Sequence, residues 1–464
     1  MATSLHSALT REETTSRSAL SPEQVFEIVR AREAALSRLL MAFIVSGLVF
    51  MLFPGTLLGV WNLLQISGRE SVGLISPAWL QAHGHAQVFG WIGSFLLGIG
   101  FYSIPKLRDS GTKVIRAAWV CWVMWTMGVA IRWTATVYLW NWRLLLPVSG
   151  VLELMAFLIF FSIVSKHRPK DSGERALEPW VWVVMSATMG FLLAVAANLV
   201  GSFYVALRGA SPAFPHGFDQ RYLALLGWGF LVPFIWGFSA KWMRVFLGLK
   251  PLRPRILFSA VLLNLVGVAL AVAGNFRLAT WFLLLAAGMS VVAIRIFETS
   301  EQEAKIRGIH WSFPLFVRMA YGWLLVAALL GVAASRFDTS GGIWGASRHA
   351  LTVGVVAIMV LSVGQRILPA FAGMRLLWSP KLMFIGLALL ATGCTLRVSC
   401  EVLAYQGYAS WPWQVLPVSA LVELTALTLF ATNILGTFVL QPSHAIKEPM
   451  HVSVSQLVAL SNSR

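Results

Sequence analysis

The sequence predicts an all-α, polytopic membrane protein of about twelve transmembrane helices. Three observations carry the prediction: the overall composition, the recurrence of long apolar runs, and the loops in which positive charge collects. Hydrophobic residues make up 58% of the 464, charged residues 12%, and the mean hydropathy is +0.74. Soluble globular chains hold about 45–50% apolar and about 25% charged residues, so no single soluble core hides this much apolar surface.

Apolar runs fall at about 40–61, 83–104, 116–138, 147–166, 180–205, 222–247, 256–274, 277–297, 313–334, 348–371, 381–402 and 415–440. Each is close to the roughly 20 residues that cross the hydrocarbon as a helix. Residues 1–39 precede them, polar at first and then helical from Ser21-Pro22-Glu23-Gln24, a capping-box pattern with proline at the first helical position. Mixed charge fills this stretch, so no cleavable signal peptide is expected. Residues 40–440 then form one transmembrane domain and 441–464 a tail. The connections are mostly short, so neighbouring helices are expected to pack antiparallel.

A net charge of +17 would suggest nucleic acid in a soluble chain. Here Lys and Arg concentrate in the N-terminal segment and the even-numbered loops, and the positive-inside rule places both termini in the cytoplasm with no nucleic-acid partner. Trp61, Trp79, Trp140, Trp142, Trp411 and Trp413 fall at the opposite, outer helix ends, where an aromatic belt belongs. Cys121, Cys394 and Cys400 lack the paired spacing of a metal or disulfide framework and read as small apolar helix residues.

An internal repeat divides the twelve runs into three groups of four. His85-Ala-Gln-Val-Phe-Gly90 matches His349-Ala-Leu-Thr-Val-Gly354, and the match extends to Gly100 and Pro105 against Gly364 and Pro369. Downstream, Gly128-x-x-x-Arg132, Trp140-Asn-Trp142, Pro147-Val-Ser149 and Glu153-Leu154 have counterparts in Gly393-x-x-x-Arg397, Trp411-Pro-Trp413, Pro417-Val-Ser419 and Glu423-Leu424. A fainter middle copy aligns Lys241-Trp-Met-Arg-Val-Phe246-Leu-Gly248 with Arg366-Ile-Leu-Pro-Ala-Phe371-Ala-Gly373 and places Ala224 opposite the histidines. Runs 2, 6 and 10 are therefore equivalent.

Of nine histidines, His83, His85 and His349 lie within or at the mouth of apolar runs. Imidazole is a natural axial ligand of haem iron, and the repeat sets His85 and His349 at matched depth on two equivalent helices. They are the candidate axial pair. The bland reading is a pair of interfacial histidines bonded to backbone or headgroups. His83, two residues from His85, points the other way, toward a second metal or haem or a helix cap. Gly84, Gly90 and Gly354 would let a flat macrocycle approach, though glycine equally serves helix packing.

Four further charges sit inside apolar runs: Arg132, Glu153, Arg397 and Glu423. Such residues usually face the bundle interior and pair, so Arg132–Glu153 and Arg397–Glu423 bridges are expected. The arginines also suit the anionic propionates of a haem on this side. His216 reads as a solvated loop residue, and His167, His310 and His444 lie on the cytoplasmic side. Arg366, beside Gln365, should snorkel.

With these motifs in view, His83-Gly-His85-Ala-Gln-Val-Phe-Gly-Trp, Arg348-His349-Ala-Leu-Thr-Val-Gly354 and Gly364-Gln-Arg-Ile-Leu-Pro369 resemble the NnrS family. Those are twelve-helix bacterial membrane proteins tied to nitric oxide responses and described as containing haem and copper. The plan is also similar to subunit I of haem-copper oxidases and to the large subunit of nitric oxide reductases, where histidines on helices 2 and 10 hold a low-spin haem. The resemblance implies a b-type haem on His85 and His349, with His83 as an uncertain addition, copper as a further metal, a bacterial inner-membrane location and a respiratory redox partner. The family plan also asks for histidines on helices 6 and 7 at the second metal centre, and runs 6 and 7 contain none. Turnover of oxygen or nitric oxide is thereby put in doubt.

Two other functions compete with a haem-binding protein of this kind. One is a divergent terminal oxidase or nitric oxide reductase-like catalytic subunit with a nonstandard metal site. The other is a cofactor-free transporter whose repeated Arg and Glu residues line a path. Against the transporter, the charged layer lies toward the outer surface and no pair of broken helices is evident in corresponding positions.

Overall fold

A backbone in hydrocarbon must satisfy its own hydrogen bonds, so apolar runs of this length become helices. The computed structural model describes residues 22–69, 73, 75–103, 112–165 and 178–442, and these contain helices and no strands. Twelve of the helices are long and apolar enough to cross a membrane: α1 Phe26–Arg69, α2 Pro77–Ser103, α3 Lys113–Val137, α4 Trp142–Ser165, α5 Pro179–Arg208, α6 His216–Leu247, α7 Pro254–Val272, α8 Phe276–Ile294, α9 Phe313–Phe337, α10 Gly342–Phe371, α11 Pro380–Tyr405 and α12 Pro412–Leu440. Proline opens α2, α5, α7, α11 and α12, where its missing N–H costs nothing. Asn275 and Ser379 cap α8 and α11 by accepting from the Leu278 and Leu382 amides.

The ends of α1 and α12 at Pro22 and Leu440 mark one side of the bundle, the terminal side. His83, His85 and His349 lie toward the other, the histidine side. Each is about two turns inside its helix start, so the depth match read from the repeat holds.

Several helices start earlier or end later than the apolar runs, α2 at Pro77 and α10 at Gly342 among them, and two further differences bear on the sequence reading. The helix expected within 1–39 is continuous with the first span, running from Pro22 to Arg69. Residues 22–39 are rich in Glu, Arg, Ala and Leu, good helix formers, and Leu36, Leu39 and Leu40 are buried, so nothing interrupts the helix near residue 40. Ser21 of the capping box, Pro105, His167, His444 and the tail from 443 lie outside the described residues. Second, α6 begins at His216 rather than near 222, so this histidine opens a helix; its side chain is exposed.

Helices α2, α6 and α10 form the centre. Between 67% and 72% of their apolar windows is buried, against at most 50% elsewhere. Each widens into a π-helical segment at the residue after the repeat-equivalent position: Ala86–Gly93 follows His85, Leu225–Leu231 follows Ala224, and Ala350–Ala357 follows His349. The alignment of Ala224 with the two histidines is thus matched in the backbone. A π-turn rotates everything beyond it relative to the helix start and is a frequent mark of functional helices. The outer positions repeat as well. A Cβ on Gly128 would stand 2.8 Å from Glu153 Cγ and 3.1 Å from the Ser149 carbonyl; on Gly393, 2.6 Å from Glu423 Cγ and 3.2 Å from the Ser419 carbonyl.

The closest backbone approach joins α5 to α6, where a Cβ on Gly190 would meet the Gly229 carbonyl oxygen at 1.9 Å. Backbone cannot yield as a side-chain tip can. Gly190→Ala should therefore destabilise the protein by about 2–3 kcal/mol, as overpacking does. Gly288→Ala on α8, where a Cβ meets open space, should change stability by less than about 0.5 kcal/mol. Thermal unfolding of the two purified variants in one detergent checks the contrast.

Candidate functional site

The site begins with a fault in α1. Pro54 sits inside the helix, within the π-helical Met51–Leu57 segment. Proline donates no hydrogen bond, and the disturbed ladder turns carbonyls toward neighbouring helices. Trp133 Nε1 donates to Pro54 O at 3.1 Å, and Gln87 Nε2 to Met51 O at 3.3 Å and Thr56 Oγ1 at 2.9 Å. His83 Nδ1 donates to Gly55 O at 2.8 Å. A Cβ at Gly59 would stand 2.6 Å from His83 Cε1, so glycine there lets the ring lie against α1.

Across the bundle, His349 Nδ1 lies 3.0 Å from Gly345 O, one turn earlier in α10, and 3.1 Å from Glu401 Oε2 on α11. A carbonyl only accepts, so in both rings Nδ1 carries the proton and Nε2 keeps its lone pair. His83 and His349 are also within electrostatic reach of each other and of Arg397. They belong to one buried cluster of charged and polar side chains contributed by α2, α10, α11 and α12 beside α1.

Polar groups of this cluster are left over. Arg397 Nε is 3.3 Å from Glu401 Oε2, yet the contact is not aligned as a hydrogen bond, and Arg397 Nε and Nη1, Glu401 Oε2 and Glu423 Oε1 are buried without a hydrogen-bond partner. Buried polar atoms ordinarily find partners, and a cluster without them marks a place built for something else. Gly84, next to His83, faces open space. Gly90 and Gly354 do not: they receive Phe50 and Trp323, so both serve helix packing.

His85 lies in a different pocket, among α2, α3, α4, α5 and α6. Its Nε2 is 2.8 Å from Glu153 Oε1, and Asn198 Nδ2 donates to Glu153 Oε2 at 2.8 Å. The nitrogen an iron would use is engaged by a carboxylate. The ring stacks on Phe89 at 4.3 Å, and below it Phe89–Trp125 and Phe191–Phe230 stack at 5.6 and 4.0 Å. These rings fill the pocket.

The expected Arg–Glu bridges are both replaced. Arg132 Nη1 donates to Ser202 Oγ at 3.0 Å, with its guanidinium carbon 4.7 Å from the Phe214 ring centre, while Glu153 bonds His85 and Asn198 instead. Arg397 lies against Glu401 one turn along its own helix rather than against Glu423. The sequence reading missed Glu401 and Asn198. The i,i+4 spacing of Arg397 and Glu401 was the available signal for the first, and a single amide inside the apolar run of α5 for the second.

The third pocket, among α6, α7, α8, α9 and α10, holds a cavity of about 60 Å³ lined by Ala224, Trp228, Thr280, Ser347 and Arg348, with Arg348 Nη2 donating to Gln220 Oε1. No group of three or more His, Cys, Asp or Glu suited to a metal occurs among the described residues. His310 lies on the terminal side, bonded to Ser312 and stacked on Phe384. Arg366 stacks over Phe246 at 4.4 Å.

No protein-family profile and no curated protein matches the chain. Solved structures do. One, described as a cryo-EM structure of a heme-copper terminal oxidase dimer, superposes with a TM-score of 0.68 over 92% of this chain and 89% of that one, at 11% identity. That likeness establishes the fold: a haem-copper oxidase subunit I-like bundle in a polytopic membrane protein.

The His85–Glu153 pair can be tested within the fold. Glu153→Leu and His85→Phe each leave a buried polar partner unmatched and should each cost about 2–3 kcal/mol. The double replacement should cost less than their sum by at least about 1 kcal/mol, measured by thermal unfolding as a double-mutant cycle.

Proposed function

We propose that this protein binds a haem in the pocket between α2 and α10, with His83 and His349 as the axial bases and Arg397 beside a propionate. One observation carries the reading: two imidazoles from different helices of a single pocket, each with Nδ1 held and Nε2 unused. The donor chemistry fits the group, since paired imidazole nitrogens are a natural six-coordinate set and unpaired guanidinium nitrogens suit an anionic edge. Open space at Gly84 accords with a flat ligand near His83. The sequence reading chose His85 with His349; the engagement of His85 by Glu153 favours His83 instead.

Bound there, a haem would supply one-electron transfer or a centre for a diatomic gas. The chain's own contribution is to fix both rings and keep their protons on Nδ1. It also provides positive charge at the pocket and closes the equivalent site at His85. The nitric oxide connection rests on the NnrS-like motifs, and with it a bacterial inner-membrane setting, cytoplasmic termini and a respiratory electron partner. Copper is the weaker part of this reading, for want of a clustered donor set among the described residues.

A terminal oxidase or reductase role is disfavoured by the pocket bounded by α6 and α10, where Ala224 stands at the repeat position of the histidines and the cavity is small. Steady quinol- or cytochrome-driven consumption of oxygen or nitric oxide would restore that role. The transporter reading requires a path through helices that, despite their π-turns, stay continuous.

The test is an absorption spectrum with metal analysis of detergent-purified protein. A Soret band is expected, lost in His83→Ala and His349→Ala and kept in His85→Ala. Loss in His85→Ala with retention in His83→Ala would return the site to the adjacent pocket, and no band in the parent would leave a cofactor-free bundle. Arg397→Gln should retain haem about tenfold or more weakly in transfer to an acceptor protein, the value of a charged hydrogen bond.

A further inference from the structure

One face of α9 carries a groove of about 350 Å³ on the outside of the bundle, lined by Leu315, Arg318, Gly322, Trp323 and Val326 together with Phe297. It is almost wholly apolar apart from Arg318. Gly322 is the notch, since a Cβ there would meet nothing within 4 Å. Trp323 forms a fixed wall because its ring rests on Gly354 of α10.

The groove has the depth of a single leaflet. α9 enters the membrane from the terminal side, and the eleven steps from Leu315 to Val326 cover about 16 Å along the axis. Half of the roughly 30 Å hydrocarbon core is about 15 Å. An apolar channel running from the interface to the middle of the bilayer matches an acyl chain.

Its polar end has a charge to match. Arg318 Nε donates to Ile296 O at 3.1 Å and Nη2 to Ser300 Oγ at 3.1 Å, both uncharged acceptors. These bonds hold the guanidinium at the start of the span and leave Nη1 without a hydrogen bond among the described residues. No carboxylate neutralises it there. The terminal side is also the side richer in Lys and Arg.

From this placement we propose that the groove is a binding site for an anionic phospholipid of the terminal-side leaflet, its acyl chain lying over Gly322 and its phosphate on Arg318. A fixed basic group beside a lipid-facing cleft is the arrangement that selects anionic headgroups. The proposal uses neither His83 nor His349 and does not depend on whether haem binds.

The intact protein, in mixed micelles with phosphatidylglycerol or phosphatidylcholine of identical chains, is titrated and read by native mass spectrometry. The parent should retain one phosphatidylglycerol about fivefold more strongly than phosphatidylcholine, the value of one guanidinium at an anionic surface. Arg318→Gln should erase that preference and leave chain binding. Gly322→Leu, which fills the notch on an open face, should lose both lipids at unchanged thermal stability. Equal retention by parent and Gly322→Leu, or a parent without headgroup preference, would overturn the proposal. A dimer that Gly322→Leu dissociates without lipid loss would overturn it in favour of a second copy on this face.

Discussion

The architecture of the histidine side depends on one constraint: in hydrocarbon, a carbonyl released from its helix must find another donor. The π-turn around Pro54 widens α1 and exposes several carbonyls at one level to neighbouring helices. His83, Gln87 and Trp133 answer them, and in doing so tie α2 and α3 to α1. The orientation of the His83 ring is therefore a by-product of backbone accounting. The Gly55 carbonyl accepts from both the Leu58 amide and His83, which fixes the imidazole with Nε2 free of that bond.

Three pockets from one repeat have taken three courses. Among α2–α6, a histidine and an asparagine bond the two oxygens of one glutamate over a stack of aromatic rings, while Asn198 Oδ1 and Arg132 Nε stay without partners. Among α6–α10, alanine stands where histidine might, and Trp228, Phe276 and Trp344 help narrow the space to a cavity of about 60 Å³. Among α10–α12, α1 and α2, the equivalent glutamate and arginine keep buried atoms without partners. Glu153 has both oxygens bonded, whereas Glu423 keeps one without a partner, and the proposed haem site rests partly on that difference.

Much of this was legible in the sequence. Hydropathy found the twelve helices, and the repeat found the three central ones and the common depth of the histidines. That reading works because lipid imposes length and polarity on each helix separately. What it could not reach was azimuth. His83 and His85 differ by about 200° around α2, so they were bound to face different neighbours, but deciding which one meets His349 needs the order of helices around the bundle. Depth likewise matched Arg397 to Glu423 without excluding Glu401, a turn away on its own helix. The π-turns left no compositional trace: Ala86–Gly93 and Ala350–Ala357 read as ordinary apolar helix, and their widening is a product of packing.

The two imidazoles of the α2–α10 pocket are held unequally. Both Nδ1–H groups donate to backbone carbonyls, and His349 alone has in addition the Glu401 carboxylate 3.1 Å from the same nitrogen. A carboxylate draws the ring toward imidazolate and raises the basicity of the far nitrogen more than an amide can. In the proposed haem site the His349 ring would thus be the stronger donor of the two. The asymmetry traces to Glu401, which stands where the first copy of the repeat has Thr136.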